Sequence, residues 1–339
     1  MSAVHPVPAM VSGSICMAVY RPHRQSLRRQ VDSLVAQTIR DWRCEIAIDG
    51  GSDEDVSIVM ECVAGDDRFN VTNYPNRVGF YRNFERALMQ VEYDVDWIAL
   101  SDQDDHWYGD KLEKLIPELE SAMLVSGQAR VVHEDLVDEN VGRRTDRVWN
   151  GLFADILDNT ITGSFSIFRA SLLPLALPFP RPTDAAYHDH WLGICAAIAG
   201  EVKIIDECLQ DYIQHDDNVL GETQSGGWIV RLGNWRARSG GFFSASYLAE
   251  HRWGWRVRVA EELLVRTPNL SQAVRADVEP FARGGLSLTL FVRSIMSVWK
   301  GEAPAGRVGA LLVGATVAGL SANRRTIRTR MHKRRKHGP

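Results

Sequence analysis

Cysteine is scarce and unpatterned in this chain: Cys16, Cys44, Cys62, Cys195 and Cys208 are odd in number, with no CxxC pair among them. That excludes a disulfide framework and a cysteine-based zinc site, and a reducing cytoplasm is the expected compartment. Long apolar runs are also missing. The best candidate, "VGALLVGATVAGL" at 308–320, is shorter than the ~18 apolar residues that a membrane span needs. The opening "MSAVHPVPAMVSGS" has neither a basic n-region nor an apolar h-region, so no signal peptide is expected. A glycine-rich phosphate loop is absent near the first strand, where "MAVYRPHRQS" offers Arg21 and no run of glycines. This argues against a nucleotidyltransferase on an α/β scaffold.

A general surplus of basic charge is lacking too. Net charge is −4, yet residues 324–339, "RRTIRTRMHKRRKHGP", carry eight Lys/Arg and no acid, which leaves −12 for the rest. An acidic body makes a nucleic-acid binder a poor reading. The basic tail suits an anionic lipid surface, a solvated terminus being the alternative.

What is present is an alternation of strand and helix patterns. "SICMAVY" (14–20), "CEIAID" (44–49), "FNVTNY" (69–74) and "DWIALS" (96–101) read as buried strands. Between them lie helical patterns: "SLRRQVDSLVAQTIRDW" with Ser26 as its N-cap, a helix opening at "GGSDED", and "FYRNFERALMQV" (80–91). A further helix is expected over "DKLEKLIPELESAML". Strand–helix repeats with short connections predict a parallel sheet covered on both faces, with ligands at the carboxyl ends of its strands.

Further on, strands are expected in "RVVHEDLVD" and "ITGSFSIF", a helix from about 187, and two last strands in "EVKIID" and "LQDYIQH". From 227 the pattern is helical and rich in Trp and Arg. The expected organisation is a tail at 1–11, an α/β domain at 12–222, a helical region at 223–322 and a basic tail at 323–339.

Chemistry concentrates in "SDQDDHWYGDKL" (101–112), directly after a buried strand. Asp102 and Asp104, at i and i+2 in a loop, suit a shared hard cation such as Mg²⁺ or Mn²⁺. A solvated turn is the alternative. Asp110, just before "KLEKL", reads as a helix cap.

The stretch "DWIALSDQDDHW" resembles the metal-binding signature of family 2 glycosyltransferases with the GT-A fold, closest to bacterial rhamnosyltransferase-like members of surface-polysaccharide synthesis. "SICMAVYRP", "CEIAIDGGSDE", "NYPNRVGFYRNFERAL", "TGSFSIFRASLL" and "YHDHWLGICAAIAGEVKIIDECLQDYIQHDDNVLG" are similar to that family's other segments, in the same order, over about residues 12–221. The resemblance implies a GT-A sheet with helices on both faces, plus a helical C-terminal region.

Residue by residue, it implies that Asp49 hydrogen-bonds the nucleotide's pyrimidine, although Gly50 stands where the family usually has a second acid. Tyr20, Asn76, Gly79, Arg82, Asp102 and Gln103 would line the nucleotide-sugar pocket, Arg82 being otherwise a surface charge. Asp104 would ligate the metal with His215, Asp102 touching it or the ribose, and Asp105 would support them. Asn218 would order the loop of His215. Asp189 would be the general base for a sugar hydroxyl, a role that a carboxylate partly desolvated beside Trp191 suits. An acid favoured by a helix N-terminus is the plainer reading of Asp189. His188 and His190 read as structural or acceptor-facing.

The implied activity is inverting transfer from a dTDP- or UDP-linked sugar, L-rhamnose among the candidates, to a saccharide or lipid-linked acceptor, assisted by a divalent metal. Residues 305–339 would touch the inner face of the membrane. A non-catalytic sugar-binding scaffold is the rival, and the presence of both Asp104 and Asp189 argues against it.

Overall fold

The computed structural model of the protein describes residues 12–92, 94–134, 141–214 and 245–336, the last fifteen of these as backbone only. His215 and Asn218 lie outside the described residues. The chain divides into two compact units, one made of Met1–Trp149, Thr160–Phe179 and Tyr187–Glu222, the other of Asn150–Asn159, Pro180–Ala186 and Thr223–Pro339.

The first unit is built on a sheet whose described strands number nine. Strand β1 (Gly13–Val19) leads to helix α1 (Arg24–Val35), then β2 (Trp42–Asp49), α2 (Asp53–Val63), β3 (Phe69–Tyr74), α3 (Phe80–Leu88) and β4 (Trp97–Ser101). β1 pairs in parallel with β2 and β4, and β2 with β3. The short strand β5 (His106–Trp107), helix α4 (Lys111–Leu115), β6 (Leu124–His133) and β7 (Arg143–Arg144) follow, then β8 (Ser166–Arg169), helix α7 (His188–Ala199) and β9 (Val202–Gln214), with α5 (Leu152–Leu157) and α6 (Leu173–Ala176) between. The strand order is β3-β2-β1-β4-β8-β6-β9-β5, with β7 beside β6. The sheet is mixed: β6 also pairs in parallel with β9, whereas β8 runs antiparallel to both β4 and β6, and β5 antiparallel to β9.

Local chemistry explains the elements. β1 and β4 are buried on both faces, so their sequences are continuous apolar runs. α2 opens with a capping box, in which Ser52 Oγ accepts from the Asp55 N–H and the Asp55 carboxylate accepts from the Ser52 N–H. α1 departs from expectation. It starts before Ser26, which is buried and donates to Glu134, and it ends at Val35, ahead of Ile39. The core of this unit joins Ile15, Met17, Leu27, Val31, Ile46, Trp97, Trp107 and Leu112.

The second unit is helical. α8 (Gly254–Arg266), α9 (Gln272–Ala282), α10 (Leu288–Trp299) and α11 (Ala305–Lys336) close on Trp253, Trp255, Val278 and Phe281, all buried. α5 belongs to this unit: Phe153 packs against Phe281 at 5.3 Å between ring centres, and Arg256 donates to the carbonyls of Ile156 and Leu157. No helix among the described residues is long and apolar enough to cross a membrane.

Candidate active site

Parallel pairing brings three strand ends to one edge of the sheet. β2 ends at Asp49, β1 at Val19 with Tyr20 next, and β4 at Ser101 with Asp102 next. Val19 is in register with Ile48, and Met17 with Ser101. Asn83 of α3 ties two of these ends together, donating to the carbonyls of Ala47 (2.7 Å) and Val19 (3.4 Å).

Asp49 is buried, and both of its carboxylate oxygens are engaged. They accept from the Val78 N–H (2.7 Å), the Gly79 N–H (2.8 Å) and Arg86 Nη1 (3.1 Å). The same Arg86 nitrogen donates to the Asn76 carbonyl at 3.0 Å. Asp49 thus holds the 76–79 loop in place. Gly79 sits at φ +82°, a left-handed conformation that glycine adopts without a Cβ penalty, and caps α3. Arg82 turns to Glu85 (2.5 Å) and the Phe179 carbonyl (3.2 Å).

Tyr20 and Gln103 form a doubly bonded pair. The Tyr20 N–H donates to Gln103 Oε1 at 2.9 Å, and Gln103 Nε2 donates back to the Tyr20 carbonyl at 3.1 Å. The ring of Tyr20 lies beneath the guanidinium of Arg77, 4.2 Å from its centre, with that of Arg21 at 5.3 Å. This is a cationic, aromatic corner beside the acidic loop.

The acids divide by environment. Asp105 is fully buried, with Oδ2 accepting from Gln210 (2.9 Å) and Oδ1 from the Ile213 N–H (3.2 Å). Burial, then the charges of Asp102 and Asp104, pushes its carboxyl well above the usual range. Asp102 is half-buried and bonded to the Ser164 side chain; burial, then the charges of Asp104 and Asp189, pushes it up to about 7. Beneath them lies the fully buried Lys111, whose Nζ donates to the Ser164 carbonyl and Gln210 Oε1, both at 2.5 Å, and rests 3.5 Å from the centre of the Trp107 ring. Burial pulls its ammonium well below the ordinary lysine range, against the pull of Asp105 and Asp102. Asp110 occupies the N-cap position of α4 without a side-chain cap bond; it pairs instead with Lys114 at 2.9 Å, so the expected capping role gives way to an i,i+4 ion pair.

Among the described residues, no group of three or more His, Cys, Asp or Glu side chains is arranged to hold a metal. Asp105 is committed to Gln210 and Ile213. Asp102 and Asp104 offer hard carboxylate oxygens, and their mutual repulsion is what a divalent cation would relieve. Such a donor set fits Mg²⁺ or Mn²⁺ completing its shell with water and phosphate oxygens.

Asp189 stands in the first turn of α7, buried, with Oδ1 accepting from the His190 N–H at 2.7 Å. Its charge reaches Asp102. His188 stacks on Phe84, 3.8 Å between ring centres, and neither of its ring nitrogens has a hydrogen-bond partner. Burial lowers it to about 3, so it is neutral and acts as a packing ring. The ring also lies close to Gly163, where a Cβ would come within 2.6 Å of His188 Nε2. Trp191 points away and donates to the Ala176 carbonyl at 2.8 Å.

Residues 14–174 match the Glycosyl transferase family 2 profile. This stretch, just under half the chain, runs from the second residue of β1 through β4, the acidic loop, Lys111 and Ser164; Asp189 and Gln210 lie beyond it. No curated protein matches the sequence. Among solved structures, S. aureus TarS is similar at 15% identity and a TM-score of 0.55, over 89% of this chain and 50% of that one. TarS residues 1–349 in complex with UDP-GlcNAc gives 15% identity and a TM-score of 0.53, over 89% and 84%. The fold is GT-A, with a helical C-terminal region.

Several site residues escaped the sequence reading: Lys111, Arg77, Arg86, Asn83, Ser164 and Gln210. For Lys111 a signal existed. It precedes Leu115 and Leu119 by four and eight residues, so helical spacing places it on the inward face. The others are brought in by tertiary contacts that no local pattern records.

Proposed function

We propose that the protein is an inverting, metal-assisted glycosyltransferase that moves a sugar from a nucleoside diphosphate to a hydroxyl of a saccharide or lipid-linked acceptor. One observation carries this reading: in a chain with a family 2 match, the parallel strands β1, β2 and β4 bring Tyr20, Asp49 and Asp102 to one end of the sheet. The influence of both Asp104 and Asp189 on Asp102 supports treating the nucleotide side and the base as parts of one site.

In this reading the Tyr20–Arg77 corner and the loop fixed by Asp49 receive the nucleotide. Asp102 and Asp104 would hold Mg²⁺ or Mn²⁺, which offsets the charge developing on the departing diphosphate. Asp189 takes the proton of the acceptor hydroxyl as its oxygen forms the new bond to the anomeric carbon. The bond from that carbon to the diphosphate oxygen breaks on the opposite face, and its electron pair leaves with the nucleoside diphosphate. Configuration inverts because there is one displacement. Lys111 and Gln210 act beneath the site, holding Asp105 and Ser164. We take a UDP- or dTDP-linked sugar, rhamnose included, as the donor; the UDP-GlcNAc held by TarS supports the uridine choice. His215 is proposed as a further metal ligand.

The test is nucleoside diphosphate release from a panel of nucleotide sugars with Mn²⁺ and mixed saccharide acceptors. Release by the wild type and its loss, by about 10²-fold or more, in Asp189→Asn is expected for a general base. Equal release by the variant would remove Asp189 from this role, and release by neither would favour a non-catalytic binder.

A further inference from the structure

Helix α10 carries its polarity the wrong way round for a helix of a water-soluble unit. Leu290, Ser294 and Ser297 are buried, while Leu288, Phe291, Val292, Ile295, Met296 and Trp299 are exposed, Leu288 by 78% and Trp299 by 85%. At 100° per residue these six side chains fall on one stripe, opposite the two serines. Helices normally turn such a stripe to the core, so its exposure marks an interaction surface.

Charge decides the partner. α10 contains no acid, and Lys300 follows Trp299 directly. Residues 283–339 hold twelve Lys/Arg and a single acid, Glu302, a net +11. Since the whole chain is −4, the preceding 282 residues carry −15. A second copy of the chain would bring +11 against +11. An anionic bilayer complements both features: an apolar stripe enters the headgroup boundary, and the basic segment meets lipid phosphates. The exposed Trp299 next to Lys300 forms the aromatic-and-basic anchor that favours this interface. We infer that the outer face of α10 is a docking surface for an anionic lipid bilayer.

The experiment is sedimentation of the full chain with vesicles of phosphatidylcholine alone or with phosphatidylglycerol. It needs no nucleotide, so its outcome is separable from that of the transfer reading. The wild type is expected to co-sediment with the anionic vesicles, and the triple variant Phe291→Ser, Ile295→Ser, Trp299→Ser to partition about tenfold less or worse. Unchanged partitioning of the variant would leave the basic tail as the sole anchor and overturn the proposal, as would a failure of the wild type to bind. Light scattering and thermal melting complete the test. A wild-type dimer that the variant breaks would make the stripe a self-association surface. A clear fall in the variant's melting temperature would show it covered by the protein itself. Each result would also overturn the lipid assignment.

Discussion

Lys111 and Asp105 meet across a single amide: Lys111 Nζ donates to Gln210 Oε1 at 2.5 Å, and Gln210 Nε2 donates to Asp105 Oδ2 at 2.9 Å. Both side chains are fully buried, and burial drives each towards its neutral form. Lys111 thus reaches the acidic loop through Gln210 and not through a direct ion pair. Lys111→Met keeps most of the volume and removes the charge. It should cost about 1–3 kcal/mol, because the Ser164 carbonyl and Gln210 Oε1 lose their buried donor. Urea unfolding measures this, and a loss under ~1 kcal/mol would mean that the Ser164 carbonyl and Gln210 find other donors when Lys111 is removed.

Asp102 should make stability depend on pH. Its carboxyl is pushed up to about 7, mainly by burial and the charge of Asp104. A raised folded-state value means that the folded protein holds the proton more tightly than the unfolded chain. Its contribution is complete below about pH 4, the unfolded value, and is lost as pH rises through about 7. In metal-free buffer, Asp102→Asn should gain stability relative to wild type between pH 4 and 8. Parallel curves for the two proteins would contradict the assignment.

Asp49 is held by two backbone N–H groups and Arg86, so its loss should be felt without any nucleotide. Asp49→Asn leaves one acceptor oxygen where both are used. We expect about 1–3 kcal/mol lower stability from the donors left unsatisfied. Unchanged denaturant midpoints would show that Asp49 serves the ligand alone.

Gly163 faces His188 and Leu100, where an added Cβ would lie 2.6 Å and 3.2 Å from their nearest atoms. Gly163→Ala should destabilise by about 1–3 kcal/mol, the usual cost of overpacking. It should also disturb Asp102 through the adjacent Ser164. A variant as stable as wild type would mean that the His188 ring moves freely.

The strands that form the site edge, β1, β2 and β4, were legible because each is a largely apolar run that leads to Tyr20, Asp49 or Asp102. Errors arose where tertiary contacts override local pattern. α1 was expected to continue to Trp42, yet the Thr38 N–H bonds to the Gly109 carbonyl and Gln37 bonds to the Tyr108 carbonyl. The helix expected through Leu124 is short, because α4 gives way to a 3₁₀ turn containing Pro117 and Leu124 already belongs to β6. Two expected last strands are the single β9, whose polar "DEC" stretch interrupts the apolar pattern while pairing with β6 shifts register there. Within the site, the acids were visible by their crowding. The groups that hold them, Ser164 and Gln210, lie 62 residues from Asp102 and 105 residues from Asp105 and are joined to the loop only by folding.

The central claim, that the acidic loop holds a nucleoside-diphosphate sugar with a divalent cation while Asp189 acts on the acceptor, separates binding from turnover. Calorimetric titration of UDP- and dTDP-sugars with Mn²⁺ into wild type, Asp104→Asn and Asp189→Asn reads it directly. The account predicts similar Kd values for wild type and Asp189→Asn, and a Kd raised at least about tenfold in Asp104→Asn. Binding to Asp104→Asn as tight as to wild type, or no binding to wild type with Mn²⁺ present, would contradict it.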